Sequence, residues 1–149
     1  MTRPVRVLLN ALHAKTGGGT TYLKALLPRL ADRKDIEIRL LIHHNQTELF
    51  QEIDLPKTVV RFKDGFLRRL IWEQLVLPAI SWEWADVTYS PANFGPLLAK
   101  RPVVLLRNAL DVSLHETRPA KRLYWAILKL MTWLSLLVAP KAMAVSTYA

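Results

Sequence analysis

The sequence predicts an α/β fold, a doubly wound and mostly parallel sheet with helices on both faces. Three observations carry this. Short apolar runs, six in all, alternate with stretches of helical period along the 149 residues. No hairpin signal such as Asn-Gly separates neighbouring runs, which leaves crossover connections and parallel pairing. Hydrophobic residues make up 51% of the chain, with five glycines and no low-complexity stretch, as in a globular chain with one core. There is no internal repeat and no linker, so 1–149 is read as a single domain.

The elements follow in order. Val5-Arg6-Val7-Leu8-Leu9 is a β-rich run ending in the polar Asn10, and it leads into Gly17-Gly18-Gly19. Thr20 is expected to cap a helix on which Tyr22, Leu23, Leu26, Leu27 and Leu30 recur at steps of three and four, with Arg29 and Arg33 near its end. Residues 36–42 begin in alternation and finish as a continuous apolar run, the pattern of a strand entering the middle of a sheet. A short helix over 46–52 and a strand over 58–62 come next. Residues 66–84 are helical in period, with Pro78 expected to kink or interrupt them. Strands over 86–89 and 103–106, a long helix over 118–138 and a last strand over 142–145 complete the order. The chain stops at 146–149, where a doubly wound domain would enter another helix, so it reads as cut off.

Composition excludes several chemistries. Without cysteine there are no disulfides, thiolate nucleophiles or Cys-ligated zinc, and the cytoplasm is the default compartment. The apolar run before Asn10 is too short for a signal peptide. Residues 123–139 fall short of the ~20 apolar residues that a bilayer span needs, and they contain Lys129. They read as a helix on the protein that touches an anionic membrane surface or, alternatively, packs on the sheet through Leu123, Ile127, Leu130, Leu134 and Leu137. The formal charge of +9 calls for an anionic partner. From Thr117 onward the chain has Arg118, Lys121, Arg122, Lys129 and Lys141 and no acidic residue, which makes this its cationic end.

In an open parallel sheet the ligand crevice lies beyond the carboxyl ends of the strands, so the loops leaving strands are the candidate sites. Gly17-Gly18-Gly19-Thr20-Thr21 lets backbone N–H groups approach a phosphate at a helix start, although it is neither GxGxxG nor a Walker motif. Ser90-Pro91-Ala92-Asn93-Phe94-Gly95-Pro96 offers Asn93 as a hydrogen-bonder and Gly95 as a point of close approach. Arg107-Asn108-Ala109-Leu110-Asp111 places a cation, an amide and a carboxylate after a strand, where they suit phosphate or sugar hydroxyls; helix capping by Asp111 or Ser113 is the alternative. The four histidines have no metal-site spacing and read as surface or loop residues. The five tryptophans fall on helices and read as core. Strands almost without aromatics argue against a nucleic-acid platform, and no nucleic acid is expected as partner.

Asn10, Gly17-Gly18-Gly19-Thr20-Thr21-Tyr22-Leu23, Trp72-Glu73-Gln74-Leu75-Val76-Leu77-Pro78, Ser90-Pro91-Ala92-Asn93-Phe94-Gly95-Pro96 and Ala144-Val145-Ser146 resemble, in order and spacing over 5–146, the acceptor-side N-terminal domain of the GT-B glycosyltransferases of group 1, or family four. The resemblance implies one Rossmann-like half of a two-domain enzyme that retains anomeric configuration. It implies a nucleotide-sugar donor as co-substrate, held mainly by a C-terminal domain outside this chain, no metal or other cofactor, and a glycan or lipid-linked acceptor. It carries phosphate and substrate binding onto Gly17, Gly18, Gly19, Thr20, Asn93 and Ser146, and catalytic roles onto Arg107 and Asn108. Many members have a His-Asp pair where this chain has Arg107-Asn108, so a histidine role there does not transfer. Without the donor half, the chain alone is expected to be nearly inactive. The competing readings are a non-catalytic Rossmann-like binding module and a basic nucleic-acid binder.

Overall fold

The computed structural model describes residues 2–107 and 116–144. Six strands form one sheet in the order β3-β2-β1-β4-β5-β6, and every neighbouring pair is parallel. The strands are β1 (Val5–Asn10), β2 (Ile36–His43), β3 (Lys57–Val60), β4 (Val87–Ser90), β5 (Pro102–Leu106) and β6 (Lys141–Ala144). The helices are α1 (Gly18–Ala31), α2 (Phe66–Leu75), α3 (Leu77–Trp84) and α4 (Pro119–Val138). This is a Rossmann-like doubly wound fold. The winding runs outward from β1 to β3, returns to β4 beside β1, and runs outward again to β6.

Alternation along the central strands divides the core. Leu9, Leu40 and Ile42 meet Leu23 and Leu27 of α1 on one face, and Leu8 and Leu41 meet Leu77 of α3 on the other. Each of these leucines is fully buried, worth about 1.5–3 kcal/mol of transfer free energy apiece. The passages from β3 to β4 and from β5 to β6 move the same way across the sheet, so right-handed crossovers put α3 and α4 on one face, opposite α1.

The strands and long helices stand within a few residues of their sequence-predicted bounds, and four local differences have physical causes. First, α1 begins at Gly18 with Gly17 as N-cap at φ 67°, so Thr20 does not cap it. Thr20 lies inside the first turn, with its hydroxyl buried and unpartnered. Second, the span 66–84 is broken into two helices: Pro78 stands in the first turn of α3 and has no N–H to continue α2, whose last ladder bond runs from Val76 N–H to the Trp72 carbonyl. Third, only a single 3-10 turn, His44–Gln46, is regular where a helix over 46–52 is expected. Its buried Gln46 side chain is drawn inward, donating to the carbonyls of Ala11 (2.8 Å) and Ala14 (3.0 Å). Fourth, the tryptophans do not share one core. Trp72 stacks on Phe62 at 5.3 Å and Trp84 lies under the Arg39 guanidinium at 4.2 Å, whereas Trp82 and Trp133 are exposed.

Helix α4 also departs from expectation. Its buried residues are Met131, Thr132 and Ser135; of the five residues expected as core, Leu123, Leu130 and Leu137 stand exposed and Ile127 and Leu134 are half-buried. Among the described residues, no helix is long and apolar enough to cross a membrane.

Candidate functional site

The strand order reverses between β1 and β4, and there the loops leaving the two strands part and open a cleft of about 500 Å³. Asn10 ends β1 and Ser90 ends β4, both buried. The Asn10 amide donates to Glu73 Oε1 of α2 at 2.9 Å and to Ser90 Oγ at 3.4 Å, and its carbonyl oxygen accepts from Leu12 N–H at 3.2 Å. One side chain thereby ties the floor of the cleft to both strands and to α2.

The walls come from four segments. The first is 11–19, fixed from below by Gln46, which carries His13, Gly18 and Gly19 to the cleft. The second is α2, which supplies Arg69. The third is 91–97, held by Gln74, whose amide donates to the Gly95 carbonyl at 3.1 Å and accepts from Leu97 N–H at 3.0 Å. Gly95 is there because a β-carbon would stand 2.7 Å from Ser90 Oγ. The fourth is α4, which contributes Tyr124, Trp125 and Thr132.

Cations and hydrogen-bond donors without partners converge on this space. The Arg107 guanidinium lies over the start of α1, where β-carbons on Gly18 and Gly19 would come within 3.0 and 2.9 Å of its nitrogens. No side chain caps α1, so its first N–H groups and the positive end of its dipole face the cleft. Arg69 points in from α2 with its Nε buried and without a hydrogen bond; its counter-charge, Glu73 Oε2, is 3.8 Å away. Burial pushes the Glu73 carboxyl up against the opposing pull of Arg69 and Asn10. His13 is half-buried as a residue, but both of its ring nitrogens are inaccessible and neither makes a hydrogen bond of good geometry. Burial first, and the Arg69 and Arg107 charges second, lower its pKa to about 3, so the ring is neutral near pH 7.

Of the residues predicted from sequence, Gly18, Gly19, Asn93 and Arg107 line this cleft, Gly17 heads the helix beside it, and Thr20 is buried within the first turn. Asn93 acts on the chain itself, its Oδ1 accepting the Arg107 backbone N–H at 2.7 Å and so fixing where that arginine starts. Asn108, Asp111, Ser113, His115 and Ser146 lie outside the described residues. Sequence reasoning missed His13, Arg69 and Glu73. His13 is a loop residue as expected, whereas His43 is neither surface nor loop: it is buried at the end of β2, its Nε2 donating to the Phe62 carbonyl at 2.8 Å. The available signal was Arg69 and Glu73 four residues apart, which places a cation and a carboxylate on one face of a helix.

A second cleft of about 450 Å³ shares Arg69 and Tyr124 with the first and extends it past Phe66 toward Lys15 and Asp64, which are ion-paired. Phe66 and Tyr124 meet edge to face at 4.7 Å on its wall. Among the described residues, no three His, Asp or Glu side chains cluster as metal ligands would. Comparison with protein-family models, with curated proteins and with solved structures gives no match.

Proposed function

We propose that this chain is the acceptor-side Rossmann-like half of a retaining GT-B glycosyltransferase, in which a nucleotide sugar is the co-substrate and a glycan or lipid-linked molecule the acceptor. The observation that carries the reading is the convergence at the switch point of the uncapped start of α1, Arg107 and Arg69, whose buried Nε makes no hydrogen bond. Together they offer a diphosphate two guanidinium groups and a row of backbone donors.

A departing nucleoside diphosphate gains negative charge as the sugar leaves, and a fixed donor aimed at such charge is worth about 3 kcal/mol of barrier. Arg107 and the N–H groups of 18–20 would take the phosphates, with Arg69 beside them. The neutral His13 ring adds no competing cation. The acceptor would lie along the adjoining cleft, against the aromatic edge formed by Phe66 and Tyr124. The resemblance adds Asn108 as a hydrogen-bonder to the sugar. A second Rossmann-like domain would close over the cleft and hold the nucleotide, and the cytoplasm, where nucleotide sugars are made, is the compartment this chemistry requires.

Calorimetric titration of the chain with uridine and guanosine diphosphates, each against its nucleoside, tests the reading. The diphosphates should bind with sub-millimolar affinity, and Arg107→Ala should weaken them by about tenfold, the cost of one charge-assisted contact. Equal binding of nucleoside and diphosphate, or binding of neither, removes the proposal. Turnover of a nucleotide sugar by this chain alone would contradict the division into two halves.

A further inference from the structure

A helix laid on a sheet is expected to turn its apolar face inward, and α4 turns a large apolar stripe outward. Its inner face is the more polar: Thr132 and Ser135 are buried there beside Met131, and Ser135 Oγ accepts from Gly95 N–H at 3.1 Å. Its outer face carries Leu123, Leu130, Trp133 and Leu137, between 54% and 64% exposed. At about 100° per residue these four fall in one stripe down the helix. Arg122 and Lys129, each one residue before a stripe leucine, line its border on the Trp133 side. Lys121 stands at the same end of the helix, and exposed Lys141 follows on β6. Arg118 is already engaged with Glu116 at 3.3 Å, and from Thr117 to the end of the chain there is no acidic residue.

We propose that the outer face of α4 docks the chain on an anionic lipid surface. The helix lies in the plane of the interface, with Leu123, Leu130, Trp133 and Leu137 at the acyl boundary and Arg122, Lys129 and Lys141 among the headgroup phosphates. Charge decides the occupant. Two copies meeting through this stripe would bring their cations together with no carboxylate on the segment to offset them, whereas an anionic bilayer offsets each one. An exposed tryptophan among leucines also fits the polar boundary of a bilayer, where its ring is partly wet. The inner face of the same helix lines the cleft through Trp125 and Thr132, so docking would bring the cleft to headgroup level. That a lipid-linked acceptor enters there rests on the glycosyltransferase reading; the docking does not.

Co-sedimentation of the full chain with vesicles of phosphatidylcholine alone, or of phosphatidylcholine mixed with phosphatidylglycerol, tests this. The anionic vesicles should take up the chain about tenfold or more better at low salt, with the preference fading at high salt. Leu130→Asp with Trp133→Asp should abolish sedimentation, and Arg122→Glu with Lys129→Glu should abolish the preference for anionic lipid. All four positions carry exposed or border side chains, so each double variant should keep the parent circular dichroism and melting curve. Equal uptake by both vesicle types, no uptake, or uptake unchanged by Leu130→Asp with Trp133→Asp overturns the proposal. So does a concentration-dependent dimer, seen by light scattering, that those aspartates dissolve, since it gives the stripe to a second copy. Vesicle binding without nucleoside diphosphate binding would keep the docking and discard the transferase reading; the reverse would do the opposite.

Discussion

The guanidinium of Arg107 lies so close over Gly19 that a β-carbon there would stand 2.9 Å from Nη1. The obstructing atom is the far end of a flexible side chain, and the next nearest neighbour, Ala14, is at an ordinary 3.6 Å. Gly19→Ala should therefore leave the melting temperature within a few degrees of the parent, because the arginine swings aside. In doing so it leaves the start of α1. The affinity for a nucleoside diphosphate should fall by about tenfold, close to the effect of Arg107→Ala. Unchanged affinity by calorimetry would mean that Arg107 does not act from this position.

Gly17 is a backbone requirement of a different kind. At φ 67° and ψ −149° it occupies a region that L residues with a β-carbon rarely enter, although nothing crowds the position. Gly17→Ala should cost about 1–3 kcal/mol through backbone strain alone. Urea denaturation should show a lower midpoint with an unchanged slope, and a midpoint equal to the parent's would show that the turn can take another conformation.

His13 makes stability depend on pH in a defined direction. In the unfolded chain its imidazole titrates near ~6.5, while in the fold burial and the two arginines hold it at about 3. Between these values the unfolded chain binds more protons, so stability is present above the unfolded pKa and falls as pH is lowered through the window. The slope is at most about 1.4 kcal/mol per pH unit. His13→Gln removes this contribution and leaves the carboxylates in place. The difference between parent and variant unfolding free energies should therefore shrink steadily from pH 6.5 to pH 4. A difference constant across that range would place the ring in water.

Glu73 couples the floor of the cleft to Arg69. Glu73→Gln keeps the shape and an oxygen for the Asn10 amide, but removes the only carboxylate that pairs with Arg69 among the described residues. Arg69 keeps some access to water, its side chain being 18% exposed. The loss of stability should therefore be about 1–3 kcal/mol, below the 3–5 kcal/mol of a fully sealed pair. Thermal melts of Glu73→Gln and of Glu73→Gln with Arg69→Met separate the two contributions: the second substitution should recover part of the loss. A double variant no more stable than the single one would mean that the arginine is not left unsatisfied.

What the sequence by itself determined is what short-range pattern encodes. The alternation in 36–42 marked a central strand, the three- and four-residue spacing of Leu23, Leu27 and Leu30 marked α1, and Pro78 marked the break between α2 and α3. Each follows from one residue's backbone limits or from the side-chain period of one element. The same reasoning found Gly18, Gly19, Asn93 and Arg107, since residues just past the ends of parallel strands must gather at one edge of the sheet. Only the tertiary structure decided that Asn10 meets Glu73 across 63 positions of sequence, that both His13 nitrogens are sealed from water, and that Arg107 lies over Gly19. It also decided which side of α4 faces the sheet, because the helix buries Met131, Thr132 and Ser135 and leaves leucines outward, the reverse of what its apolar period names.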